Sequence, residues 1–164
     1  MKMNPFHYEN GRLHAENVAV EDIAAKVGTP FYLYSQQGIV NRFKAFDDAA
    51  RKHLPRHLTC FAVKSNANPA ILKLLARMGA GADIVSGGEL LLALSAGIPA
   101  DKIVFSGVGK TREELTLAVQ NGIKQINVES EEEALMLDEI AAVTGKKVKI
   151  ALRINPDIDA HTHH

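Results

Sequence analysis

The stretch CFAVKSNANP, residues 60–69, sets a lysine directly after a run of apolar strand formers and directly before small polar residues that lead into a helix. An amine at the lip of an apolar strand is partly withdrawn from water. That makes Lys64 a candidate nucleophile, able to form an imine with a carbonyl compound. A lysine reaching from a strand end to water, or anchoring a phosphate, satisfies the same pattern. Other polar residues fall at corresponding places. Asp83 and Ser86 lie near the end of the next apolar run, Ser106 follows IVF, Glu129 follows QINV, and Arg153 and Asn155 end the last run. Asp83 could act on a ligand or pair with a nearby base. Glu89 is accounted for by a helix cap alone. Arg153, inside IALRIN, calls for an acidic or anionic partner, catalytic or structural.

Three tempting motifs fail on their spacing. VFSGVGKT ends like a phosphate-binding loop, but Val104 stands where the motif requires glycine, which argues against a nucleotide site at Lys110. GAGADI lacks the third glycine of a dinucleotide fingerprint, Ile84 standing in its place. His161, His163 and His164 crowd too closely for the usual zinc spacing, and no metal site is expected.

The elements that must position these residues follow a rhythm of about 22 residues in which β-type runs alternate with amphipathic helical stretches. Strands are expected over 58–63, 82–85, 103–105, 125–128 and 148–154. The first helix between them opens on Asn68 and Pro69. The next three open on S/T-x-x-E boxes, Ser86 with Glu89, Thr111 with Glu114 and Ser130 with Glu133. All four close on glycine. Such alternation predicts parallel βαβ units with strands buried on both faces, hence an α/β fold.

Before them, FHYENGRLHAEN carries an Asn10-Gly11 turn signal, followed by a short helix over 20–27, a strand in GTPFYLYS and a long helix from Gln36. A doubly wound open sheet could be complete at this length, whereas a (β/α)8 barrel needs about 250 residues and would reach only its fifth strand here. In parallel α/β folds of either kind the C-terminal strand ends bind ligands, and the candidate residues collect there.

Composition narrows the function classes. The 164 residues are 46% hydrophobic and 23% charged, the balance of a soluble globular protein, and Lys+Arg equals Asp+Glu at 19 each. That balance calls for neither nucleic acid nor an anionic membrane surface, and points to a small molecule or another protein as partner. Cys60 is a single cysteine in an apolar run, which suits a reducing cytoplasm. No run has signal-peptide or membrane-spanning character, so an unexported, cytoplasmic protein is expected.

The phrases GTPFYLYS, FAVKSNANP, GAGADIVSGGEL, AGIPADKIVFSGVGKT, INVESEEE and ALRINPDIDAHTHH occur in the order and approximate spacing of the bacterial diaminopimelate decarboxylases. These are pyridoxal-phosphate enzymes of the alanine-racemase-like barrel class, and the resemblance covers residues 6–164. It implies a (β/α)8 barrel of which this chain holds about five strands, with residues 35–164 as an incomplete cofactor-binding barrel. Residues 1–34 would be a β/α segment joining a C-terminal β-domain. It also implies decarboxylation of meso-2,6-diaminopimelate to L-lysine and carbon dioxide, with pyridoxal 5'-phosphate held by Lys64. Asp83 matches a family aspartate beside that lysine, Arg153 an arginine near the cofactor ring, and Glu89 an acidic residue of the same stretch. Family members are longer homodimers. The glycine-rich phosphate loop, the acidic partner of the pyridine nitrogen, the ring-stacking histidine and the partner subunit's cysteine loop are all missing here. The chain is therefore expected to be an N-terminal portion, inactive by itself. A decarboxylase or racemase sibling of the same fold, a non-catalytic α/β binding module, and a phosphate binder centred on Gly107 to Thr111 are the competing readings.

Overall fold

In the computed structural model, residues 4–54 and 56–158 are described. The chain divides into two compact units, Met1–His57 and Leu58–His164.

The first unit opens with a hairpin. Asn10 (φ 49°) and Gly11 (φ 78°) both adopt the left-handed conformation that a tight two-residue hairpin turn requires. They join β1 (Phe6–Glu9) to β2 (Arg12–Ala15), and a short β3 (Val18–Ala19) completes a three-stranded antiparallel sheet. Helix α1 (Val20–Val27) is tied back to β2 by Arg12, which donates to Glu21 at 3.0 Å and Asp22 at 2.9 Å. Helix α2 (Gln36–His53) starts at Ser35, whose Oγ accepts from the Gly38 amide at 2.8 Å and donates to Glu16 at 2.7 Å. Glu16 also accepts from the Gln37 amide at 2.8 Å, and this bond, with that of Ser35, holds its carboxyl below the ordinary carboxylate range.

GTPFYLYS, expected as a strand, is not one: residues 31–35 belong to neither sheet. Its aromatic and β-branched content fits a pleated surface, but a strand exists only where a neighbour takes its backbone groups. Tyr32 and Tyr34 are exposed accordingly.

The second unit is a five-stranded parallel sheet: β4 (Cys60–Ala62), β5 (Gly81–Ile84), β6 (Ile103–Phe105), β7 (Gln125–Val128) and β8 (Ile150–Leu152). Helices α3 (Pro69–Arg77), α4 (Gly87–Ser95), α5 (Arg112–Asn121) and α6 (Glu131–Thr144) alternate with them. Each helix is followed by a glycine of positive φ, namely Gly79, Gly97, Gly122 and Gly145. The strands lie side by side in chain order, β4-β5-β6-β7-β8. A doubly wound sheet reverses its order at a switch point; a barrel wall does not. This order therefore decides between the two architectures in favour of the barrel wall.

Burial agrees. Ala82, Ile84, Ile103, Phe105, Ile126 and Val128 form one core with Leu72, Leu90, Leu115, Leu137 and Ile140 of the four helices. The alternate residues Asp83, Val104, Gln125 and Asn127, on the opposite face, are only half-buried. Burial of the strands on both faces, expected from the βα rhythm, is thus not found among the described residues: the helices cover one face. Gly81 is obligatory for strand spacing, since an added Cβ would fall on the carbonyl oxygen of Lys102 and against Cys60 Sγ.

Candidate active site

Lys64 does not end a strand but sits in the middle of a single 3-10 turn, Val63–Ser65, that closes β4. Val63 is fully buried beneath it, and Ser65 Oγ donates to the Ala62 carbonyl at 2.7 Å. Downstream, Asn68 Oδ1 accepts from the Ala70 amide at 2.9 Å to start α3, and Asn66 Oδ1 accepts from the Asn68 amide at 3.0 Å. The turn is therefore pinned on both sides of the lysine. Lys64 itself is exposed, and among the described residues its ammonium has no hydrogen-bond or ion-pair partner. The desolvation that the apolar run suggests is not supplied by these residues.

Asp83 lies on the adjacent strand, in register with Ala62, two residues before Lys64. Its partner is a hydroxyl and not a base: Ser106 Oγ donates to Asp83 Oδ1 at 2.6 Å. Ser106 in turn accepts from Asn127 Nδ2 at 3.0 Å, and Asn127 Oδ1 accepts from Gln125 Nε2 at 2.8 Å. Neither Asn127 nor Gln125 stands out by residue type. The signal was their period-two spacing in QINV, which places both on the face away from Ile126 and Val128.

Arg153 finds the acidic partner it needs. Its Nη1 donates to Glu129 Oε1 at 3.2 Å, and the same oxygen accepts from the Gly107 amide at 3.2 Å. The Glu129 side chain is 8% exposed and that of Arg153 64%. Burial pushes the Glu129 carboxyl up, but the Arg153 hydrogen bond, the Gly107 amide and the charges of Arg153 and Lys110 together hold it below the ordinary range. Much of the guanidinium stays available at the sheet edge.

Glu89 accepts from the Val85 amide at 2.8 Å while its own amide donates to Ser86 Oγ at 3.2 Å. It thus braces the turn between β5 and α4, one residue earlier than a standard capping box would. Glu114 completes a full box with Thr111 and also accepts from the Gly87 amide at 2.8 Å, so α5 caps α4 as well as itself. Glu133 keeps half of its expected box, its amide donating to Ser130 Oγ at 3.2 Å, while its carboxylate turns to Lys110.

Lys110, the lysine of VFSGVGKT, is spent within the protein. Its Nζ donates at 2.7 Å to the Gly107 carbonyl, the Asn127 carbonyl and Glu133 Oε1. All three ammonium protons are satisfied, which leaves none for a phosphate. Among the described residues no three metal-ligating side chains converge, and no helix is long and apolar enough to cross a membrane. The phrase DAHTHH from Asp159 onward, with His161, His163 and His164, lies outside the described residues.

Among the described residues, the C-terminal edge of the sheet thus presents one unpartnered amine, a hydroxyl-bound carboxylate on the next strand and a guanidinium three strands beyond that. An aldehyde cofactor with a charged ring and a phosphate fits the amine and guanidinium. The sequence profile of the family described as "Pyridoxal-dependent decarboxylase, pyridoxal binding domain" matches residues 37–164. The diaminopimelate decarboxylase of Aquifex aeolicus (strain VF5) is 52% identical over 161 residues, which cover 98% of this chain and 37% of that protein. That of Pseudomonas fluorescens is 51% identical over 162 residues, with 98% and 38% covered. A crystal structure of diaminopimelate decarboxylase from M. jannaschii in co-complex with L-lysine superposes with a TM-score of 0.87 at 36% identity, covering 96% of this chain and 37% of that one. The chain thus spans little more than a third of the length of the relatives it matches. With a matching profile over most of its length and a parallel barrel wall that ends in a free lysine, the chain belongs to the pyridoxal-dependent decarboxylase family.

Proposed function

We propose that the whole protein to which this chain belongs decarboxylates meso-2,6-diaminopimelate to L-lysine and carbon dioxide, with Lys64 holding pyridoxal 5'-phosphate. The observation that carries the proposal is the unpartnered Lys64 amine on a pinned turn at the C-terminal edge of the sheet, where barrels of this kind bind ligands. Identity near 50% to proteins named diaminopimelate decarboxylase supports the choice of substrate.

Pyridoxal phosphate, when bound, supplies an electron sink for the pair left behind as carbon dioxide departs. The chain's own residues divide the remaining work. Lys64 is the residue that would hold the cofactor through its aldehyde, and the buried Val63 beneath fixes where the lysine stands. Asp83 places a negative charge on the strand beside it. Arg153, oriented by Glu129, offers its remaining N–H groups to the cofactor. Glu89 holds the β5–α4 turn through the Val85 amide. The same reading carries a homodimer in the cytoplasm, an amino acid as small-molecule partner, and residues 1–34 as a segment that joins a C-terminal β-domain.

The test is to incubate the full-length protein with a slight excess of pyridoxal phosphate, reduce with borohydride and map the labelled lysine by mass spectrometry. Selective label at Lys64, lost in Lys64→Ala, together with carbon dioxide release from meso-diaminopimelate but not ornithine, is the expected result. Turnover of ornithine instead would assign a sibling decarboxylase. Scattered or absent label would leave an α/β binding module.

A further inference from the structure

Four polar side chains form one hydrogen-bonded row across three strands, on the sheet face away from the helices. Gln125 donates to Asn127, Asn127 to Ser106, and Ser106 to Asp83, at 2.8, 3.0 and 2.6 Å. The row has a direction. Asn127 Nδ2 can only donate, and a serine has a single proton. With its oxygen accepting from Asn127, Ser106 must send that proton to Asp83. Asp83 is therefore the terminal acceptor of a one-way chain, which is the role of a carboxylate.

The row is held at its middle as well as its end. The Asn127 carbonyl receives Lys110 Nζ, whose other two bonds go to Gly107 and Glu133, so the backbone beneath the Asn127 side chain cannot drift. Packing does not require polar groups here, because Val104 on the same face, in register with Asp83 and Gln125, is apolar. The charge of Asp83 already reaches β4: burial first, and the Asp83 charge second, push the Cys60 thiol up. The other charged groups at this edge are Lys64 beyond β4, Glu89 on the Val85 amide after β5, Lys110 with Glu133 beside the Asn127 carbonyl, and Glu129 with Arg153, which pair with each other beyond β7 and β8.

We propose that Ser106 and Asn127 are positioning residues for Asp83, holding its carboxylate as a fixed acceptor on the strand beside Lys64, so that its negative charge acts on the Lys64 nitrogen once that nitrogen is bonded to the cofactor. The inference rests on the assignment of Lys64 made above.

The test follows the absorbance of the Lys64 imine against pH in the full-length protein loaded with pyridoxal phosphate. Asp83→Asn is expected to lower the protonation midpoint by on the order of one pH unit, since it removes a nearby opposite charge. Ser106→Ala and Asn127→Leu are expected to lower it in the same direction. The double variant Asp83→Asn/Ser106→Ala is expected to move it no further than Asp83→Asn alone, because the two act as one unit. Ser106→Thr, which keeps the hydroxyl, is expected to titrate as wild type, and it guards against a fold defect in the alanine variant. Wild-type midpoints in both Ser106→Ala and Asn127→Leu, additive shifts in the double variant, or a threonine variant displaced as far as the alanine one would overturn the inference. If the wild type forms no imine at Lys64, the proposed function falls with it; that outcome is distinct from one in which the wild type forms the imine and every variant titrates as it does.

Discussion

Lys110 and Glu133 meet at 2.7 Å with side chains only 1% and 8% exposed, and together they fasten the loop after β6 to the strand β7 and the helix α6. Two charges this far from water are stable only as a pair, because either one alone would be buried without compensation. Lys110→Met is therefore expected to destabilise the second unit by about 3–5 kcal/mol. The double variant Lys110→Met/Glu133→Leu is expected to recover much of that loss. Urea unfolding of the four corners of the cycle measures both. A double variant as unstable as the sum of the singles would mean that the pair is not the unit described.

Nucleotide binding at the same lysine offers an independent check. With every Nζ proton committed, the protein is expected to show no saturable ATP binding by calorimetry. Saturable binding abolished by Lys110→Ala would show that the pair opens.

Glu114 accepts from the amides of Thr111 and Gly87, and these, in that order, hold its carboxyl below the ordinary value of 4.5. A lowered folded-state pKa means that the folded protein favours the ionised form. The stabilisation is complete above the unfolded value near 4.5 and is lost as pH falls through the lower folded value. Glu114→Gln is expected to cost about 1 kcal/mol at pH 7, and the gap to wild type is expected to narrow below the ordinary carboxylate range. Thermal melts across pH follow this directly; a gap that stays constant into acid would rule the assignment out.

Two glycines separate steric need from helix propensity. Gly81→Ala forces a methyl onto the Lys102 carbonyl, where backbone must move, and is expected to cost about 1–3 kcal/mol. Gly88→Ala meets nothing nearer than Ser86 Oγ at 3.8 Å, within α4, and is expected to be neutral or stabilising by up to about 1 kcal/mol. Equal melting temperatures for the two variants would contradict the strand spacing described here.

Ile150 and Leu152 continue the buried rows of Ile126 and Val128 onto β8, yet both are exposed. Since β8 ends the sheet, this pairs an apolar row with open backbone groups, a template for association. The 164-residue chain is expected to self-associate, and Leu152→Lys to reduce that association in sedimentation velocity runs without lowering the melting temperature.

Where the signals were local, the sequence was a sufficient guide. Val20–Val27, Ile103–Phe105 and Gln125–Val128 form over the residues expected. Helices α3 to α6 start at their caps and stop before their glycines, because a cap and a left-handed turn involve only near neighbours. What failed depended on distant partners. GTPFYLYS has strand composition but no neighbouring strand, and the run from Val148 pairs only over Ile150–Leu152. The Glu133 amide keeps its place in the Ser130 cap, but its carboxylate goes to Lys110, 23 positions earlier. The candidate site shows the same division. Lys64 stood out by type and place, whereas the row behind Asp83 depends on register between strands, and no single stretch encodes it.

The register itself is regular: Cys60 pairs with Gly81, Ala82 with Ile103 and Val104 with Gln125, each 21 residues on, and Ile126 pairs with Ile150 after 24. Within the described wall, each pairing joins strands that follow one another in the chain. Contacts this close in sequence cost little loop entropy and favour fast formation. As the chain leaves the ribosome, each new helix and strand finds its docking edge already present, so the wall can be laid down one course at a time, in the order in which it is translated.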